Sequence, residues 1–314
     1  MNIYESLGLL ITRVVLSANE QLNPPHSVHC QAAPQQSSSF FTDFSQNNRA
    51  WNLDLRGDRQ SRFFWANPGR LYLQGRSVSN PSPALSGPSG GSEIVSRDSF
   101  GYGTYRFRVQ FSVCDREIRN ENLINGLFVY LNDGMDHDQN HLVDNREIDF
   151  EFACDEPHSL YLSSWTDYSD ETHLRKVTRR INFETGEVAQ TARGGEGAYG
   201  LGSRFREIRF RHPELSLNTQ FNEMGFRWTP SLLSFFIVLG GREVNLWNVR
   251  EQTLIPLAPA QLHFNLWFPA QHWDTGQAAQ FPREDSNLLL DCFSFSAFIA
   301  AAEFPHNAGL SPGY

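Results

Sequence analysis

Glu147-Ile148-Asp149-Phe150-Glu151-Phe152 alternates acidic and apolar residues without a break. Successive side chains of a β-strand point to opposite faces, so Glu147, Asp149 and Glu151 share one face and Ile148, Phe150 and Phe152 share the other. The apolar face reads as core. The acidic face aligns three carboxylates with no basic residue between them, and like charges so close drive their pKa values apart. A charged solvent face is the plain alternative. Three carboxyls in register suit a chemistry that needs them in different protonation states. In glycoside hydrolysis one carboxylate attacks the anomeric carbon and one protonated carboxyl gives a proton to the leaving oxygen.

Outward from this stretch, short apolar runs recur between turn signals. Tyr105, Phe107, Val109 and Phe111 alternate with Arg106, Arg108 and Gln110. Further strands are expected over Gly126 to Leu131, Ser159 to Thr166, Glu223 to Trp228, Leu232 to Leu239, Gln261 to Phe268 and Leu288 to Phe298, with a hairpin turn at Thr229-Pro230-Ser231. Gly186 to Gly202 reads as a glycine-rich loop. Asn132 to Asn145 holds Asp133, Asp136, His137, Asp138 and His141 but lacks the Asp-x-Asp-x-Asp-Gly order of a calcium loop, and reads as a solvated loop. Many short strands with few competing helices predict an all-β sandwich.

The chain has 314 residues, enough for one large all-β domain or two ordinary ones. Residues 1–39, rich in Gln, Ser, Pro and Asn after Leu16, read as an extension without a core of its own; 40–300 form the domain and 301–314 a tail. A net charge of −9 argues against nucleic-acid binding and against an anionic membrane surface. Arginine supplies all but one of the 26 basic residues, the exception being Lys176. No apolar stretch reaches the length of a transmembrane helix. Leu7 to Leu16, interrupted by Arg13 and preceded by no Lys or Arg, makes a poor signal peptide, so the sequence does not support export. The four cysteines show no metal-ligand spacing. Cys114, Cys154 and Cys292 read as buried free thiols, with one unassigned disulfide left open.

Several ordered segments together resemble glycoside hydrolase family 16. Glu147 to Glu151 resembles its catalytic signature in the form without a bulge. Ser92 to Ser96 with Phe100 to Tyr105, Gly225 to Pro230, Asn265-Leu266-Trp267 with Trp273, and Asp291 to Phe298 resemble further family segments. The resemblance spans about residues 41–300. It implies a β-jelly-roll of two curved antiparallel sheets with a concave groove, and retaining cleavage of internal β-glycosidic bonds of a polysaccharide. In it Glu147 is the nucleophile, Glu151 the general acid/base and Asp149 the residue that tunes them. Arg106, Arg108, Trp165, Trp228, Asn265, Trp267 and Trp273 map to the groove. Flat indoles suit the apolar faces of sugar rings, and core packing is the competing role of each Trp. Arg106, which stands where lichenase-type relatives carry an acidic residue, suggests a substrate with an anionic substituent; the competing reading pairs it with Asp149 or Glu151. No cofactor is required. A structural calcium near the closing strand would have Asp291 as its candidate, against the reading of a simple strand-end aspartate. A monomer is the default, and the family implies an extracellular or cell-envelope setting. The same residues serve a β-glycan transglycosylase, and a non-catalytic glycan-binding jelly-roll is the reading from another class.

Overall fold

The computed structural model describes residues 39–44, 51–56, 62–66, 70–75, 90–170, 172–194, 202–269 and 282–298. The proposed extension and tail lie outside these residues, apart from Ser39. The strands in chain order are β1 (Ser39–Thr42), β2 (Trp51–Arg56), β3 (Arg62–Ala66), β4 (Arg70–Gly75), β5 (Gly90–Phe100) and β6 (Gly103–Gln110). They continue with β7 (Ile124–Tyr130), β8 (Asp144–Ala153), β9 (Ser159–Tyr168), β10 (Leu174–Asn182), β11 (Glu187–Arg193) and β12 (Ser203–Arg206). The last five are β13 (Asn222–Thr229), β14 (Leu232–Leu239), β15 (Arg242–Val249), β16 (Ala260–Phe268) and β17 (Ser286–Ala297). Two single turns of 3-10 helix, Ile208–Phe210 and Gln252–Leu254, are the helical pieces among the described residues.

The strands form two antiparallel sheets. One runs β12-β11-β10-β9-β8-β7-β16-β5-β2, which puts β8, the acidic strand, at its centre. The other runs β15-β14-β13-β6-β17-β4-β3, with β1 also paired to β17. Each sheet turns its apolar positions inward. Ile148, Phe150 and Phe152 of β8 are fully buried, as are Tyr105, Phe107 and Val109 of β6. Phe107 of one sheet meets Phe150 and Phe264 of the other edge-on, with ring centroids 6.5 and 5.8 Å apart. Phe111, just past β6, stacks on Phe152 at 4.8 Å. These rings hold β8 with its apolar face to the core, so its acidic face points out of the sandwich.

Three expectations are corrected. The glycine-rich stretch contains a strand, β11, because Val188, Gln190 and Ala192 alternate and the glycines only flank them. Arg242–Val249, not anticipated, adds a strand at the edge of the second sheet. The free thiols are also overturned: Cys114 and Cys154 form a disulfide with Cα atoms 5.1 Å apart, and Cys292 is disulfide-bonded as well. Within β17 the pairing with β6 shifts between Leu290 and Cys292, leaving Asp291 as the extra residue. That shift lets Leu288 and Leu290 before it and Phe293 and Phe295 after it all reach the core, which strict alternation forbids.

Candidate active site

Glu147, Asp149 and Glu151 lie on the outer face of the central strand, and register names their neighbours. Asp149 stands between Phe128 of β7 and Ser163 of β9. The aromatic ring on one side and the strand on the other leave Asp149 3% exposed. Glu147 faces Trp165 of β9, and Glu151 stands between Gly126 and Tyr161. Asn145, itself buried, donates its amide N–H to Glu147 Oε2 at 2.7 Å and so orients that carboxylate.

Burial, the charges of Glu147 and Glu151, and a hydrogen bond with Glu147 together push Asp149 well above the usual carboxylate range. Glu151 is pushed up to about 8, first by burial and then by the charge of Glu147. Lys176 opposes both shifts. It reaches the site from β10, opposite Trp165, with Nζ 3.9 Å from the indole centroid. Its own pKa is lowered, first by burial and then by Arg193, and is supported by Glu151, Asp149 and Glu147. At neutral pH the row therefore holds a protonated carboxyl at Glu151 beside Glu147, with Asp149 raised in the same direction by its burial and its two acidic neighbours. This is the division of roles that double displacement requires.

Across Gly126 lies Asn265 of β16. A Cβ at Gly126 would sit 2.4 Å from Asn265 Oδ1, so the missing side chain makes room for that amide beside Glu151. Asn265 Oδ1 is buried with no hydrogen-bond partner among the described residues, an acceptor suited to a hydroxyl. Next in the row of Asp149 and Phe128 comes His263, whose ring stacks on Phe128 at 4.8 Å and whose Nδ1 lies 3.0 Å from Glu93 Oε1. Trp267 alternates with these residues on the same outer face.

Of the sequence-derived site residues, the structure gathers Glu147, Asp149, Glu151, Trp165, Asn265 and Trp267 on one face. Trp273 lies outside the described residues. Arg106, Arg108 and Trp228 are corrected. Arg106 and Arg108 sit on β6, in the other sheet, and point out of the opposite side of the sandwich. There Arg106 pairs with Glu223 and Glu243, and Arg108 with Asp291, so neither competing reading of Arg106 holds. Alternation gave them a face but not a sheet. Trp228 belongs to the core at 0% exposure, its indole N–H donating to the Pro256 carbonyl at 3.0 Å. Asp291 sits between Arg108 and Arg70 and forms ion pairs with both. In the 132–145 loop, Asp136, Asp138 and Asp144 bring carboxylate oxygens within 4.8 Å of one another, the group among the described residues with room for a metal ion. Sequence reasoning missed Asn145, Gly126, His263 and Lys176. The signal for the last was its standing as the chain's single lysine.

No family model and no curated protein matches the chain. Solved structures do. A β-1,3-1,4-glucanase (lichenase) from a mouse hindgut metagenome is 16% identical, with a TM-score of 0.51, covering 83% of this chain and all of that one. The Bacillus licheniformis β-glucanase is 15% identical, TM-score 0.50, covering 84% and 100%. LamA of Zobellia galactanivorans, in complex with laminaritriose and laminaritetraose, is 11% identical, TM-score 0.51, covering 82% and 97%. At these identities the likeness carries the fold, and the chain has the jelly-roll architecture of β-glucanases.

Proposed function

We propose that this protein is a retaining endo-acting glycoside hydrolase that cuts internal β-glycosidic bonds of a polysaccharide. The observation that carries the reading is the acidic row itself: three carboxylates on the outer face of the central strand, the middle one buried and hydrogen-bonded to Glu147. Glu147, oriented by Asn145, attacks the anomeric carbon. Protonated Glu151 gives its proton to the departing oxygen. Asp149 holds the proton it shares with Glu147. Once Glu147 is bonded to sugar its charge is gone, and that charge is one of the two causes raising Glu151. Glu151 then becomes the stronger acid, keeps its negative charge and serves as the base that activates water. Trp165 and Trp267 offer ring faces to sugars on either side, and Asn265 Oδ1 accepts a hydroxyl. The disulfide suits an oxidising compartment, where polysaccharides also lie.

The test is reducing-sugar release from a panel of β-glucans and acidic glycans, with proton NMR of the first product. Release with the β-anomer appearing first supports the proposal. A first α-anomer overturns retention. Binding with no release favours a lectin-like role, and products longer than the starting oligosaccharide favour transfer.

A further inference from the structure

The outer face that carries the acidic row differs in character on its two sides. Toward β7, β16 and β5 it presents Phe128, Tyr130, His263, Asn265 and Trp267, with Glu93 buried beneath them. Toward β10, β11 and β12 it presents cations. Register passes from Glu147 through Trp165 and Lys176 to Arg193, and from Glu151 through Tyr161, Arg180 and Ala189 to Arg204. Directly paired residues share a face, so Lys176, Arg180, Arg193, Arg204 and Arg206 all lie on the side of the acidic row. Glu187 is the single acidic residue on these three strands, and it pairs with Arg180, as does Glu156. Arg193 and Arg204 are exposed.

A concentration of arginine in a chain of net charge −9 is local, not part of a general field. With strands about 4.8 Å apart, Arg193 lies about 14 Å and Arg204 about 19 Å from the acidic row. That is beyond the screening length of about 8 Å at physiological salt. These arginines therefore act chiefly on what lies across the strands, Arg193 bearing on the row only through Lys176. A polysaccharide crossing β8 at right angles to the strands runs over them.

Resting on the hydrolase reading, we infer that the β10–β12 side of the groove is a binding arm for acidic sugars, so that the substrate carries carboxylate or similar anionic groups several residues from the cleaved bond. Arginine's planar fork matches such groups. The aromatic side holds neutral ring faces, so the two arms fix the direction in which the chain lies.

The probe is a β-1,3-1,4-glucan compared with the same glucan partly oxidised to C6 carboxylates. Affinity is measured on the Glu147→Gln protein, where turnover does not intrude. The oxidised polymer is expected to bind at least about tenfold more tightly at low salt, and the preference to shrink as salt rises. In the added Arg193→Gln/Arg204→Gln double variant, checked for folding by its melting curve, most of that preference is lost. Equal affinity for the two polymers overturns the inference, and so does a preference that survives the double variant. Failure of the native protein to cleave any glycan, with the charge preference intact, removes the hydrolase reading and leaves the acidic-sugar arm standing.

Discussion

Glu151→Gln is expected to stabilise the protein while abolishing turnover, because the site holds Glu151 against its preference to ionise. Burial and the Glu147 charge raise this carboxyl from 4.5 to about 8. Between those values the folded protein keeps a proton that the unfolded chain releases, so Glu151 erodes stability as pH rises from about 4.5 to about 8 and no further beyond. At pH 7 the interval is two and a half pH units at about 1.4 kcal/mol each, about 3.4 kcal/mol. Glu151 retains some contact with solvent, which screens part of this and leaves about 1–3 kcal/mol. Glutamine keeps the shape and has no charge to desolvate. Melting curves of both proteins from pH 4 to pH 9 should start with a small separation at pH 4. The gap should widen through pH 7 and level off above pH 8, reaching about 3–8 °C. A gap independent of pH, or one that narrows as pH rises, refutes the claim that the fold holds Glu151 protonated.

Other substitutions test the remaining roles. Glu147→Gln should remove nearly all turnover, and azide should restore cleavage of an activated aryl glycoside by Glu151→Ala; rescue of a Glu147 variant with inverted product, and none at Glu151, would reverse the assignment. Lys176 holds Glu151 down, so Lys176→Met should carry the alkaline limb of kcat/KM, set near 8 by Glu151, to higher pH, while Lys176→Arg keeps it in place; an unmoved limb in the Met variant rejects the coupling. Replacing Cys114 and Cys154 by serine opens a link across 40 residues and should cost about 4 kcal/mol of unfolding free energy in a denaturant titration.

What the sequence determined alone was local. Strict alternation placed Glu147, Asp149 and Glu151 on one face and Ile148, Phe150 and Phe152 on the other, because the side-chain period of a strand is a property of the backbone itself. The same rule put Tyr105, Phe107 and Val109 on one face, and that face is the buried one. Tertiary structure decided everything that depends on which strand lies beside which. Arg106 and Arg108 alternate as cleanly as the acidic row, yet β6 joins the other sheet and turns them to the far side of the molecule. Trp228 reads as a groove residue by its segment, and is core because β13 pairs with β6. Lys176 and Asn265 reach the acidic row from strands distant in sequence, one through β9 and the other through the side chain missing at Gly126. Cys114 and Cys154 become partners for the same reason. Alternation is written in neighbouring residues, whereas strand order is set by burial across the whole chain, and a local period is blind to it.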